Sequence, residues 1–355
     1  MHDEFIGTMP VQERHRFDTE RLDAYMRAHV AGFAGPLEVA QFKGGQSNPT
    51  FMLSTPGARY VLRRKPPGKL LPSAHAVDRE YRVISALYQA GIPVARSFAL
   101  CQDEAIIGTA FYIMEYVDGR VLWDQALPGM APTERTAIYA EMNRVIAALH
   151  QVDYRAVGLS DYGKPGNYLE RQIGRWSKQY RASETERIEA MDRLIDWLAK
   201  NLPAGDETAI VHGDFRLDNL IFDPGEPRIV AVLDWELSTL GHPLADFAYH
   251  CMTWRMPAAE GSRGLAGVDL AALGIPSERE YLRSYLQATG RTQVVSDEDW
   301  AYYMVFNMFR LVGILQGIMK RALQGNASNA QALQAGRRAR PLAEQAWALA
   351  QQVSR

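Results

Sequence analysis

Three short β-like runs in quick succession constrain this chain more than any other feature. "LEVAQF", "TFMLST" and "YVLRR" follow one another between residues 37 and 64, separated by "KGGQSNP" and "TPGA". Both separators are rich in turn formers, so the runs read as an antiparallel meander. A helix is expected from Ser73 to Ala90, ended by Gly91 and Pro93. Val77, Tyr81, Ile84 and Tyr88 form its apolar stripe, and Glu80 lies at the edge of the buried face, where a carboxylate needs a partner. A further strand pair, near "RSFALCQ" and "AFYIMEYV", completes a strand-rich first part. Beyond "VDGR" the texture turns helical, with helices expected at about 133–150 and 186–200. The plan is α+β: a β-rich lobe over 1–116, a linker near Tyr116–Gly119, and a mostly helical lobe over 117–355. Strands grouped this way argue against a parallel doubly wound sheet.

Composition removes several function classes. At 355 residues the chain can bury two substantial cores. Its net charge of −2 gives no general attraction to nucleic acid or anionic membranes. Cys101 and Cys251 stand far apart, without the paired spacing of a zinc site or disulfide framework. Two reduced thiols and an opening "MHDEFIGTMPVQERH" without an apolar core predict a cytoplasmic protein. "YYMVFNMFRLVGILQGIM" (Tyr302 to Met319) approaches the length of a membrane span, but Asn307, Arg310 and Gln316 interrupt it. A central Arg costs about 2.5–3.5 kcal/mol on insertion scales, so the stretch reads as a buried helix.

The chemistry concentrates in "IVHGDFRLDNLIFD", Ile210 to Asp223, a polar loop framed by apolar residues. Such a loop holds a metal, moves a proton beside one, or is a hydrogen-bonded turn without chemistry. Asp214 and Asn219 stand five apart in it, and Asp234 ends the next apolar run. One potential base and two oxygen ligands suit Mg²⁺, which takes one or two protein carboxylates and leaves room for phosphate oxygens. Phosphoryl transfer uses this order: an Asp for the acceptor's proton, an Asn five residues on, then a second Asp for the metals.

"HGDFRLDN" followed by "VLDWE" resembles the aminoglycoside phosphotransferase and choline kinase family, which has the protein-kinase-like two-lobed fold. It is most similar to the kinase-like domains fused to acyl-CoA dehydrogenases and their free-standing bacterial relatives. The resemblance runs from about Phe42 to beyond Gly317. It implies that Asp214 is the catalytic base and that Asn219 and Asp234 hold magnesium. Arg216 would neutralise charge on the transferring group. Glu236 replaces the Gly of the protein-kinase "DFG" motif, and His212 and Asp218 are loop scaffolding. "YVLRRKP" offers Arg63 as the phosphate-binding basic residue, with Arg64 and Lys65 as competitors, and Glu80 as its helix carboxylate. In "KGGQSNPTF", Gly44 and Gly45 would let backbone amides approach phosphate, with Ser47 and Asn48 donating further hydrogen bonds. A hairpin turn explains that loop equally well. Backbone groups near Glu115–Val117 would meet adenine. Asp246, in "GHPLADFAYH", anchors neighbouring elements. Around Asn307, Arg310 and Gly317 the second lobe would face the acceptor, with Arg310 either meeting an anionic acceptor or forming a buried ion pair.

The implied activity is transfer of the γ-phosphoryl group of ATP, with Mg²⁺, to a hydroxyl of a small-molecule acceptor such as a hydroxyacyl-CoA. Two rivals remain: an ATP-binding pseudokinase without turnover, and a metallohydrolase using His212, Asp214 and Asp234. The first has no need of a base. The second leaves Arg63, Glu80 and the first lobe without a role.

Overall fold

The structure is a computed structural model and describes residues 7–43, 48–68, 75–258, 264–291, 295–325 and 332–353. Along the chain run β1 (Thr8–Met9), α1 (Thr19–His29), β2 (Glu38–Phe42), β3 (Thr50–Ser54), β4 (Arg59–Arg64) and α2 (Val77–Gln89). Next come β5 (Ser97–Cys101), α3 (Glu104–Ile107), β6 (Phe111–Glu115), β7 (Arg120–Val121), α4 (Pro132–Gln151), α5 (Tyr168–Ser183) and α6 (Glu189–Lys200). Short strands follow: β8 (Ala209–Val211), β9 (Leu220–Phe222), β10 (Ile229–Val232) and β11 (Thr239–Gly241). The rest is helical: α7 (Pro243–Cys251), α8 (Leu270–Leu273), α9 (Glu278–Ala288), α10 (Asp297–Leu323), α11 (Ala332–Gly336) and α12 (Ala339–Val353). Two compact units result. One takes residues up to Val145, Val152–Tyr162 and Arg216–Ser238; the other takes Ile146–Gln151, Gly163–Phe215 and everything from Thr239 on.

The first unit is built on the expected antiparallel sheet, in the order β1-β2-β3-β4-β6-β5. Alternation along the strands puts Phe51, Leu53, Tyr60, Leu62, Phe111 and Ile113 into one core with Leu22 and Met26 of α1. Fully burying a side chain of this kind contributes about 1.5–3 kcal/mol, so this one face accounts for most of the sheet's stability. The side chain of Asp18 starts α1 by accepting the N–H groups of Glu20 and Arg21.

Helix α2 differs from the expectation in its buried face. The observed stripe is Val77, Glu80, Ile84 and Leu87, whereas Tyr88 is 47% exposed. Tyr81 and Tyr88 carry hydroxyls that favour the rim, which rotates the helix and brings Glu80 inside rather than to the edge. The helix begins at Val77, and Ser73 lies outside the described residues.

A three-stranded sheet, β10-β9-β7, also belongs to the first unit. It carries that unit past the 116/117 boundary, because β9 pairs with β7 as well as with β10. Gly119 makes the approach of β7 to β9 possible: a Cβ there would lie 2.3 Å from the Phe222 carbonyl oxygen.

In the second unit β8 pairs with β11, and α10 packs on α5, α7 and α12. Residues 302–319 lie within α10, and each of their polar interruptions makes a hydrogen bond. Asn307 donates to the carbonyls of Ala245 and Tyr303, Arg310 donates to the Gly213 carbonyl, and Gln316 accepts from Thr185. No helix among the described residues is long and apolar enough to cross a membrane.

Candidate active site

In the first unit, Arg63 and Arg64 occupy adjacent positions of β4 and so point to opposite faces. Arg64 turns into the core beside α1. It is 2% exposed, donates to the carbonyls of His15 and Ile107, and lies against the rings of Phe17 and Phe51. Arg63 faces α2. Its Nε lies 2.8 Å from Glu80 Oε2, and its Nη2 lies 2.8 Å from Asp234 Oδ1 and 3.5 Å from Glu236 Oε2. Burial opposes the Arg63 charge, but Glu80 and the other nearby acidic groups outweigh it and raise its pKa above the ordinary value. Glu80 is 2% exposed, and its second oxygen accepts from Asn48 Nδ2 at 2.8 Å. Tyr112, opposite Arg63 in the register of β4 and β6, donates its hydroxyl to Glu80 Oε2 at 3.1 Å.

Asn219 and Asp234 meet at neighbouring strand ends. Leu220 opposes Val232 across β9 and β10, and just beyond them the Leu233 N–H donates to the Asn219 carbonyl at 2.8 Å. The chain turns sharply at Asp234, where φ is +65°. For a residue with a Cβ this conformation costs roughly 1–2 kcal/mol, and the cluster around Arg63 holds it. Asn219 is buried and Asp234 half-exposed. The donors offered are an amide oxygen and carboxylates, a set that fits Mg²⁺ rather than a soft metal. Among the described residues no three His, Cys, Asp or Glu come together as a metal cluster. Arg216 lies 3.5 Å from Asp218, at the start of the short 3₁₀ turn Leu217–Asn219.

The remaining nucleotide-site candidates are placed as follows. Gly45 and Ser47 lie outside the described residues, as does Gly44. The Asn48 side chain is wholly buried and engaged by Glu80 and by His75 Nδ1, at 2.8 Å each. Glu115 ends β6; its N–H donates to the Arg96 carbonyl at 2.8 Å, its side chain accepts the Arg96 N–H at 3.3 Å, and Val117 is half-buried just beyond it.

The loop residues His212 to Asp214 belong to the second unit, where Asp246 anchors them. Asp246 accepts the backbone N–H groups of His212 and Gly213, both at 2.8 Å. Its Oδ2 also lies 3.2 Å from His150 Nε2. Burial works against the Asp246 charge, but His150 and the loop outweigh it and hold the carboxyl below the usual range. Gly213 adopts φ +81°, a conformation that favours glycine. His212 Nδ1 accepts the Asp214 N–H at 3.2 Å, a bond within the loop.

Arg310 forms no ion pair among the described residues. It donates to the Gly213 carbonyl at 2.7 Å and lies over the rings of Tyr249 and Trp176. The expectation of a buried ion pair is therefore corrected: a carbonyl and two aromatic faces solvate this cation. Asn307 is wholly buried; its amide nitrogen donates to backbone carbonyls, and its Oδ1 has no hydrogen-bond partner among the described residues. Tyr112 and Tyr249 were not singled out in the sequence. Tyr112 follows from the strand register opposite Arg63, and Tyr249 from its place one helical turn after Asp246.

A basic strand residue paired to a helix carboxylate, an "HGD" loop, and Asn and Asp at adjacent strand ends define the protein-kinase-like phosphotransferase class. The model of the phosphotransferase enzyme family matches residues 38–292, and the chain belongs to that family. Acyl-CoA dehydrogenase family member 10 of Mus musculus is 47% identical over 343 residues, 96% of this chain and 32% of the mouse protein. The chain thus spans about a third of that relative's length. The crystal structure of a candidate aminoglycoside phosphotransferase from Ralstonia eutropha is 62% identical, covers 95% of this chain and 99% of its own, and superposes with a TM-score of 0.88. A ternary complex of aminoglycoside phosphotransferase APH(4)-Ia with AMP-PNP and hygromycin B shares the fold at 18% identity. It covers 89% of this chain and 95% of its own, with a TM-score of 0.58.

Proposed function

We propose that this phosphotransferase moves the γ-phosphoryl group of ATP to a hydroxyl of a small-molecule acceptor, with Mg²⁺. One observation carries the reading: a guanidinium kept charged between Glu80 and Asp234, beside oxygen donors suited to a hard cation. Arg63 orients phosphate with its N–H groups, and Glu80, fixed by Asn48 and Tyr112, orients Arg63. Asn219 and Asp234 hold Mg²⁺, which when bound neutralises phosphate charge. Backbone groups near Glu115 and Val117 receive adenine. Asp214 takes the acceptor's proton, and Arg216 offsets charge on the group in transit. AMP-PNP in the distant APH(4)-Ia complex supports ATP as the nucleotide.

The acceptor class we infer is a hydroxyacyl-CoA or similar acyl thioester. Its support is a relative at 47% identity that bears an acyl-CoA dehydrogenase name and is three times this chain's length. Calorimetric titration of ATP with and without Mg²⁺, followed by a hydroxyl-acceptor screen, tests both levels. Magnesium-dependent binding lost in Asp234→Ala, and turnover lost in Asp214→Asn, are the expected results. ATP binding without turnover on any acceptor would favour the pseudokinase. Phosphorylation of sugars or amino alcohols but no hydroxyacyl thioester would remove the acceptor assignment alone.

A further inference from the structure

The carboxylate of Asp214 is not oriented by its own loop alone. Tyr249, on α7, donates its hydroxyl to Asp214 Oδ1 at 2.6 Å. It follows Asp246 by three residues, so both lie on one side of the helix. One turn of α7 thus holds the catalytic loop twice, by the backbone of residues 212 and 213 and by the side chain of Asp214.

The Tyr249 ring is itself held. The Arg310 guanidinium lies 4.9 Å from its centroid and 5.6 Å from that of Trp176, while Arg310 Nη2 is tied to the Gly213 carbonyl. Arg310 is 8% exposed and makes no ion pair among the described residues. A cation over the phenol face draws density from the ring and strengthens the O–H as a donor. Arg310 thereby serves the base indirectly: it grips the backbone beside Asp214 and polarises the hydroxyl that Asp214 accepts.

We infer that Tyr249, backed by Arg310, is a positioning residue that holds the Asp214 carboxylate in one orientation for the acceptor hydroxyl. This rests on the reading of Asp214 as the base. In the transfer, the acceptor O–H bond breaks and its proton passes to Asp214. The acceptor oxygen bonds to phosphorus, and the bond to the bridging oxygen of ADP breaks. A carboxylate free to rotate would meet that hydroxyl in fewer productive encounters.

Tyr249→Phe removes one oxygen and keeps the ring over which Arg310 lies. It should lower kcat about tenfold, equivalent to ~1.4 kcal/mol, with KM for ATP unchanged. Arg310→Lys, which keeps the charge, should retain more of kcat than Arg310→Met. A lowered melting temperature with an unchanged kcat would mean a structural role only and overturn the proposal. A lower acceptor KM with undiminished kcat would overturn it too, since the phenol would then be occupying the acceptor's place. Single-turnover transfer at saturating ATP and acceptor decides the point: the transfer step should slow by the same factor in Tyr249→Phe, and an unchanged transfer rate refutes the inference. A wild-type protein that phosphorylates no hydroxyl would defeat the phosphotransfer reading separately.

Discussion

Replacing Glu80 by Leu isolates the buried cluster around Arg63. Glu80 is 2% exposed, accepts hydrogen bonds from Asn48 and Tyr112, and forms an ion pair with Arg63. Its removal leaves two buried neutral donors without this acceptor, each costing about 1–2 kcal/mol. It also strips one partner from a buried cation, where breaking a pair costs about 3–5 kcal/mol. Arg63 keeps Asp234 and Glu236, which reduces the ionic part. The expected total is therefore about 3–5 kcal/mol. For a domain of this size each kcal/mol lowers the melting temperature by roughly 2–4 °C, so calorimetry should show a fall of about 6–20 °C. The decisive comparison is the double variant Arg63→Met/Glu80→Leu, which removes the charge and its partner together. It should be less destabilised than the sum of the single variants by at least ~2 kcal/mol in urea denaturation. Additive losses, or a cost below ~1 kcal/mol for Glu80→Leu, would refute the view that this carboxylate is the counter-charge of Arg63.

Two further outcomes are expected. His242 and His250 are buried, and burial lowers their pKa from 6.5 to about 4. Below pH 6.5 the unfolded chain binds protons that the folded one refuses, so stability should decline between pH 6.5 and 4 by up to ~3 kcal/mol per histidine. Urea midpoints measured across that range check the loss, and His250→Asn should remove about half of it. Separately, Arg64→Met should cost about 2 kcal/mol of stability, through the carbonyls and rings it leaves, with KM for ATP unchanged. Arg63→Met should raise that KM at least tenfold. Steady-state kinetics beside melting curves separate the two.

Strand order and helical texture were readable because alternation and turn chemistry are local. The family was readable because the motif's spacing is contiguous. Arg63 and Arg64 could not be told apart in "YVLRRKP", since both are basic and only pairing with β3 and β6 shows which faces α2. The stripe on α2 was misjudged for a related reason. Tyrosines count as apolar by periodicity, yet the hydroxyls of Tyr81 and Tyr88 draw that edge outward, and the acid went in. Arg310 was legible as a buried cation. Its actual partners, a carbonyl and two rings, lie 60 or more residues away and leave no charged signature to search for. Helix α5 was not foreseen, because its buried positions are few: Leu169, Ile173, Tyr180 and Ser183.

The two units are interleaved along the chain, and that bears on how the protein is made. The first unit draws its last stretch, Arg216–Ser238, from beyond the second unit's first two segments, Ile146–Gln151 and Gly163–Phe215. A ribosome adds roughly 5–20 residues per second. The six-stranded sheet is thus complete for several seconds before β9 and β10 emerge to join β7, and a nascent chain halted at residue 116 would lack the strands that carry Asn219 and Asp234. Expressing the first lobe alone should yield a sheet that recruits chaperones, whereas a split placed after Ser238 keeps every strand of that unit on one piece.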